Sequence, residues 1–211
     1  MFVGHYGVAF GARPATPAVR LWVYFIAVQW LDVVWSVLVL LGVEKLHIVP
    51  GFTEANPYDL YYMPYTHGLP GAVVLSLALG AVIAAFTAQQ RGRAFLIVSA
   101  ASFSHWILDL IVHIPDLPLY GNTDKVGFGL WRHVAISFPL EIAVLRQILP
   151  GDIQLVTPGI RTGKEKADDQ KRTLTPKEAL DAGADWLVIG RPIYAAQNPR
   201  AAAEEILAAL T

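Results

Sequence analysis

Three ionisable side chains recur at every fourth position in the stretch SHWILDLIVHIPD, residues 104–116: His105, Asp109 and His113. On a helix, positions i, i+4 and i+8 stack on one face, so two imidazoles and a carboxylate are presented together. Those groups are ligands for zinc and other divalent ions, and they also carry protons or, with a metal, hydrolyse polar bonds. The run around them reads as a membrane span, where ionisable groups are costly and turn toward a bundle interior, a cavity or a partner. Comparable groups punctuate the other apolar stretches: Asp32 in the first, His67 at the mouth of the second and Glu141 in the fourth, with His5 able to approach from the N-terminus. The candidate metal or proton site is therefore His5, Asp32, His67, His105, Asp109, His113 and Glu141, with a zinc-like divalent ion as the candidate cofactor. A plainer reading has Asp32 pairing with a His or Arg only to satisfy buried polarity and fix helix register.

The elements that must position these groups follow from hydropathy. The 211 residues are 55% hydrophobic and 16% charged, with a mean hydropathy of +0.45, too apolar for an ordinary soluble domain. The average hides a split: residues 1–150 hold 8 Lys/Arg and 8 Asp/Glu, and the last 61 hold 8 and 9. All six His precede that boundary, and the absence of Cys excludes disulfides and thiolate metal sites. A net charge of -1 offers nothing electrostatic to nucleic acid.

Four spans are expected, at about residues 21–43, 69–88, 94–113 and 130–149, each near the length that crosses a bilayer at about 1.5 Å per residue. Between the first two, residues 44–68 mix charges, Pro, Gly and several Tyr, an extramembrane loop with interfacial anchors. Arg13 and Arg20 before the first span, and Arg91 and Arg93 after the second, place both segments in the cytoplasm by the positive-inside rule. Four crossings return the C-terminus to the cytoplasm. The expectation is a mostly α protein of the bacterial inner membrane, a four-helix transmembrane bundle in the lipid bilayer followed by a small α/β tail.

The motifs GHYGVAF, QWLD, PYTHGL, SHWILDLIVHIPDLPLY, KVGFGLW and FPLEI together resemble a family of small bacterial multi-pass membrane proteins without an assigned activity. Some of that family's relatives are described as membrane-bound metal-dependent hydrolases. The resemblance covers residues 1–144, and it implies that the seven residues above are the ones to test.

The tail, residues 145–211, has another character. A Pro-Gly break leads into a short strand from about Ile153 to Val156 that ends in Thr157-Pro158-Gly159, followed by a polar loop to about 175. Thr175, Pro176 and Glu178 form a helix start, with cap, first-turn Pro and first-turn carboxylate. That helix ends at Gly183, a strand runs from Asp185 to Ile189, Gly190-Arg191-Pro192 turns the chain, and Asn198-Pro199 opens a last helix to Leu210. These are two consecutive β/α units. A Gly and an Arg after a parallel strand, with a polar loop one unit earlier, form a phosphate-binding arrangement typical of the last two strands of a (β/α)8 barrel, while an ordinary turn with a solvated Arg accounts for the same pattern.

The segments VTPGIR, DDQKR, TPKEALDAGADWLVIGRPI and NPRAAAEEILAAL resemble the C-terminal quarter of orotidine 5'-phosphate decarboxylase. The resemblance implies that Gln170 and Arg191 contact the nucleotide phosphate, with Gly190 beside them and Pro158 against the pyrimidine end. It implies orotidine or uridine monophosphate as ligand and no cofactor for the tail. The family's chemistry depends on an Asp-x-Lys-x-x-Asp array that these residues lack: Asp109 is followed at the Lys position by Ile111, and Asp181 by Gly183. Two β/α units also leave a barrel unclosed, with strand edges that oligomerisation would hide. The expectation is an inactive decarboxylase fragment joined to a membrane protein. Decarboxylation of orotidine monophosphate in pyrimidine synthesis is the alternative, and a joining artefact or chimera in which neither half works is a third reading.

Overall fold

The computed structural model describes residues 2–162 and 173–210, which form two compact units, Met1–Arg132 and His133–Thr211. The first unit contains helices α1 (Phe2–Ala12), α2 (Leu21–Val28), α3 (Trp30–Leu40), α4 (Leu69–Phe86) and α5 (Arg91–Val112). Between α3 and α4, strands β1 (Lys45–Ile48) and β2 (Tyr58–Tyr62) pair antiparallel; after α5, β3 (Leu117–Tyr120) and β4 (Thr123–Val126) do the same. The Lys125 ammonium and the Asn122 amide both donate to the Tyr61 carbonyl, at 2.7 and 3.1 Å, and tie the two hairpins together.

Two apolar clusters hold this unit. Ala9, Tyr24, Ala27, Val28, Val98 and Ala101 join α1, α2 and α5, while Leu31, Leu60, Met63, Ala72, Trp106 and Leu117 seat the hairpins against α3, α4 and α5. The pair α4 and α5 packs through small residues, as helices in lipid do. The Ser76 hydroxyl donates to that of Ser102 at 3.1 Å, and Gly80 lies so close to α5 that a Cβ there would strike the Ser99 hydroxyl and stand 2.8 Å from the Phe95 carbonyl. Gly80→Ala should therefore destabilise the protein by about 1–3 kcal/mol, as overpacking does; thermal unfolding in detergent measures it.

On length and composition, α4 and α5 can cross a membrane, with 18-residue windows of mean hydropathy 2.3 and 1.8. The first expected span is not a straight helix: α2 and α3 meet at Gln29 with a 51° bend and pass the same test only as a pair. The fourth expected span does not appear as such. Its residues form a 3-10 turn at Leu130–Arg132 and then α6 (Val134–Ile148), whose 15 residues reach about 22 Å, short of the roughly 30 Å hydrocarbon core. The cytoplasmic placement of the C-terminus rested on that fourth crossing.

In the second unit α6 is the largest element. Its Phe138 and Ile142 pack with Ile160, Leu174, Ala179 and Ala184, and its Arg146 meets the Asp185 carboxylate at 3.0 Å. The structural boundary at 132/133 thus precedes α6, whereas the boundary of the two resemblances at 144/145 falls within it. There follow β5 (Val156–Thr157), α7 (Pro176–Asp181), β6 (Trp186–Leu187), α8 (Arg191–Tyr194) and α9 (Pro199–Ala208), with β5 and β6 paired parallel. The expected β/α order and parallel pairing are present; the strands are shorter, and the turn at Gly190-Arg191-Pro192 becomes a short helix.

The helix start read at Thr175 is a complete capping box: the Thr175 hydroxyl accepts from the Glu178 N–H, and the Glu178 carboxylate accepts from the Thr175 N–H at 2.8 Å. The helix closes at Gly183, whose φ of +104° suits glycine, with the Arg146 side chain against it. The bonds from the Thr175 backbone and hydroxyl hold the Glu178 carboxyl below its ordinary pKa. Its contribution is thus present above the unfolded-state value and is lost as pH falls through the depressed one. Thr175→Ala should cost about 1 kcal/mol at pH 7, and the deficit in melting temperature should shrink on acidification.

Candidate functional site

Six of the seven expected residues meet in the first unit, brought there from α1, α3, α5 and the turn before α4. Asp109, on α5, is the hub. Its Oδ1 lies 3.4 Å from His5 Nε2, and its Oδ2 lies 3.1, 3.5 and 3.6 Å from the Nε2 atoms of His105, His113 and His67. Asp32, in the first turn of α3, places Oδ1 3.4 Å from His67 Nε2 and 3.5 Å from His105 Nε2. The imidazoles of His5 and His105 stack at 4.1 Å. The four His and Asp109 are buried, whereas the Asp32 side chain is 40% exposed and marks where the cluster opens. Glu141 is buried in the second unit, on α6, and belongs to neither of the donor triads among the described residues, His5/His105/Asp109 and Asp32/His67/His105.

What orients the imidazoles lies behind them. The bend at Gln29 leaves the Val28 carbonyl, at the end of α2, without the helical partner it would have in a straight span, and His105 Nδ1 donates to it at 2.7 Å. His113 Nδ1 donates to Asp116 Oδ1 at 2.8 Å. His67 Nδ1 lies 2.8 Å from the Thr66 hydroxyl, which itself donates to Glu44 Oε2 at 2.6 Å and so has only lone pairs to offer the ring. Each of these three acceptors demands a proton on Nδ1, so each Nε2 faces the carboxylates with a lone pair when the ring is neutral and with an N–H when it is an imidazolium. His105 Nε2 lies 3.1 Å from Asp109 Oδ2.

Neutral rings so held would set nitrogen lone pairs against ionised oxygen at 3.1–3.6 Å, an arrangement that either a proton on Nε2 or a metal ion between the donors relieves. A tetrahedral zinc ion with bonds of about 2.0–2.1 Å puts its donors about 3.3–3.4 Å apart, within the observed range. Histidines that bind metal characteristically give their other N–H to a carboxylate or backbone carbonyl, as His113 and His105 do here. The donor set fits a divalent ion of zinc type. Sequence reading missed Glu44, Thr66, Asp116 and the Val28 carbonyl. Asp116 was within reach as the i+3 neighbour of His113, but nothing local ties Glu44 to His67.

In the second unit, the register pairs Val156 with Trp186 and Thr157 with Leu187, so Pro158 and the Gly190–Arg191 pair follow their strands at the same, C-terminal end of the parallel pair. Gly190 caps α8 and its carbonyl accepts from Ile193 and Tyr194 at 2.9 and 3.1 Å. Gln170 lies outside the described residues.

No solved structure matches the chain. Among curated proteins, the orotidine 5'-phosphate decarboxylase of Opitutus terrae is 61% identical over 75 residues, 36% of this chain and 33% of that protein. The protein of the same name from Geotalea daltonii is 33% identical over 147 residues, 67% of this chain and 60% of that protein, a longer and weaker match that extends into the first unit. The chain thus spans between about one third and three fifths of these relatives. Residues 135–206, from α6 to α9, match the orotidine 5'-phosphate decarboxylase / HUMPS family.

Proposed function

We propose that the chain is an integral protein of the bacterial inner membrane whose first unit binds one zinc-like divalent ion for hydrolytic chemistry, and whose second unit keeps only the phosphate-gripping end of an orotidine 5'-phosphate decarboxylase. The observation that carries the metal reading is the convergence of three imidazoles, each fixed with its proton on Nδ1, on two carboxylates. Asp32, His67, His105 and Asp109 hold the ion, with His113 and His5 at the other contacts of Asp109. Bound there, the ion supplies Lewis acidity toward a carbonyl or phosphoryl oxygen. The residues themselves keep the imidazoles in one tautomer, bury most of the charges away from water and leave Asp32 exposed at the edge of the cluster.

Membrane residence is supported by apolar side chains on the outside of the spans, such as Val74, Leu77 and Phe86 on α4 and Leu96 and Ile107 on α5, and by Arg91 and Arg93 in the first turn of α5. The test is elemental analysis of the full chain purified in detergent, stripped with a chelator, reloaded with zinc and desalted. About one ion per chain supports the reading, and less than about a tenth overturns it.

A second reading, a working part of a decarboxylase, draws on the 61% identity of the tail and on its parallel β5–β6 pair. On that reading Pro158, Gly190 and Arg191 face a nucleotide monophosphate. Without the Asp-x-Lys-x-x-Asp array in these 211 residues, the tail binds and does not decarboxylate.

A further inference from the structure

Glu44 is a 1% exposed carboxylate immediately beyond α3. It accepts three hydrogen bonds, from the Tyr65 and Thr66 N–H groups to Oε1 at 2.8 and 3.0 Å and from the Thr66 hydroxyl to Oε2 at 2.6 Å. A threonine hydroxyl has a single proton, and here it is committed to Glu44. The oxygen can then only accept from His67 Nδ1, 2.8 Å away. Trp106 fixes the same residue from the other side, donating its indole N–H to the His67 carbonyl at 2.8 Å.

We propose that Glu44 is a positioning residue for the metal centre: through the Thr66 hydroxyl it sets the direction of the hydrogen bond to His67 and so keeps the His67 Nε2 lone pair on the ion. This rests on the metal reading above. The device is a polarity relay of carboxylate, hydroxyl and imidazole, and it acts over two hydrogen bonds from a residue that touches no ligand atom of the ion.

A near-isosteric change reverses it. In Glu44→Gln the amide oxygen keeps the two backbone donors, which turns the amide NH2 toward Thr66. The hydroxyl must then accept from the amide, and its proton swings to His67 Nδ1. A neutral imidazole that accepts at Nδ1 carries its proton on Nε2 and has nothing to give the metal. Outer contacts of metal-bound histidines typically alter affinity by about 10–100-fold, and a reversed tautomer belongs at the upper end.

The experiment is zinc affinity of the full detergent-purified chain by competition with a chromophoric chelator, with 15N NMR of the His67 ring as second readout. Glu44→Gln should weaken zinc by about 30–100-fold and move the His67 proton from Nδ1 to Nε2. Thr66→Val, which removes the relay, should weaken it by at least about tenfold, and Thr66→Ser, which keeps the hydroxyl, should stay within about threefold. If the unaltered chain binds zinc and Glu44→Gln binds it equally with His67 still protonated on Nδ1, the relay is refuted while the metal centre stands. Failure of the unaltered chain to bind zinc refutes the centre and the relay with it. A Glu44→Gln chain that melts with the unaltered apo protein yet loses zinc excludes a merely structural role.

Discussion

On the proposed metal reading, Asp109→Ala should emerge from purification with less than about one tenth of the zinc that the unaltered chain is expected to retain. Structural zinc sites bind with roughly 10–16 kcal/mol, so one of four ligands accounts for about 3 kcal/mol and its loss for about two orders of magnitude in affinity. Asp109 should exceed that share, because one oxygen meets His5 while the other meets His67, His105 and His113. Removing it leaves four buried imidazoles with no common anion except, for two of them, Asp32. Asp124→Ala, an exposed carboxylate on β4 whose side chain touches only Thr123 among the described contacts, should keep its zinc. Equal zinc in Asp109→Ala and the unaltered chain would mean that the cluster serves to satisfy buried polarity, or to pass protons, rather than to hold an ion.

The second large effect is an absence of turnover. Supplied with orotidine monophosphate, the 211-residue chain should form no uridine monophosphate above the uncatalysed background, as chromatography over hours would measure. Enzymes supply about 10⁶-fold acceleration or more, and the resemblance assigns the key proton transfer to the Lys of an Asp-x-Lys-x-x-Asp array; where a Lys does follow an Asp at that spacing, Asp169 and Lys171, the closing position is Leu174. On the proposed reading Arg191 grips only the phosphate and supplies no proton to the carbon that loses CO2. Formation of product at an enzymatic rate, lost on Arg191→Ala, would restore the decarboxylase reading.

The chemistry was most legible where it repeats locally. His105, Asp109 and His113 share a helix face by spacing alone, and α5, with His113 capping its end, brings all three to one site. The contributions of His5, Asp32 and His67 could be read as types in apolar settings, while their convergence depends on how four separate elements pack. The bend at Gln29 left no mark, since neither Pro nor Gly stands there and hydropathy is blind to a break that His105 itself satisfies. Residues 130–149 misled for a related reason: an apolar run with a few charges looks like a weak span, yet Arg146 has its partner in Asp185, 39 residues on, and Glu141 went with that helix into the second unit. In the tail the helix starts were readable because caps are local, as the Thr175 box shows, whereas both strands are shorter than read and Arg191 and Pro192 belong to a short helix.

The acceptor for His105 is a main-chain carbonyl, whereas His67 depends on two side chains. Their mutational robustness therefore differs. No substitution at Val28 deletes the oxygen that holds His105, so that ligand is insured against drift at its supporting position as long as the helix stays broken. His67 has no such insurance, and a random library scored for zinc retention would show tolerance at residue 28 and intolerance at residues 44 and 66.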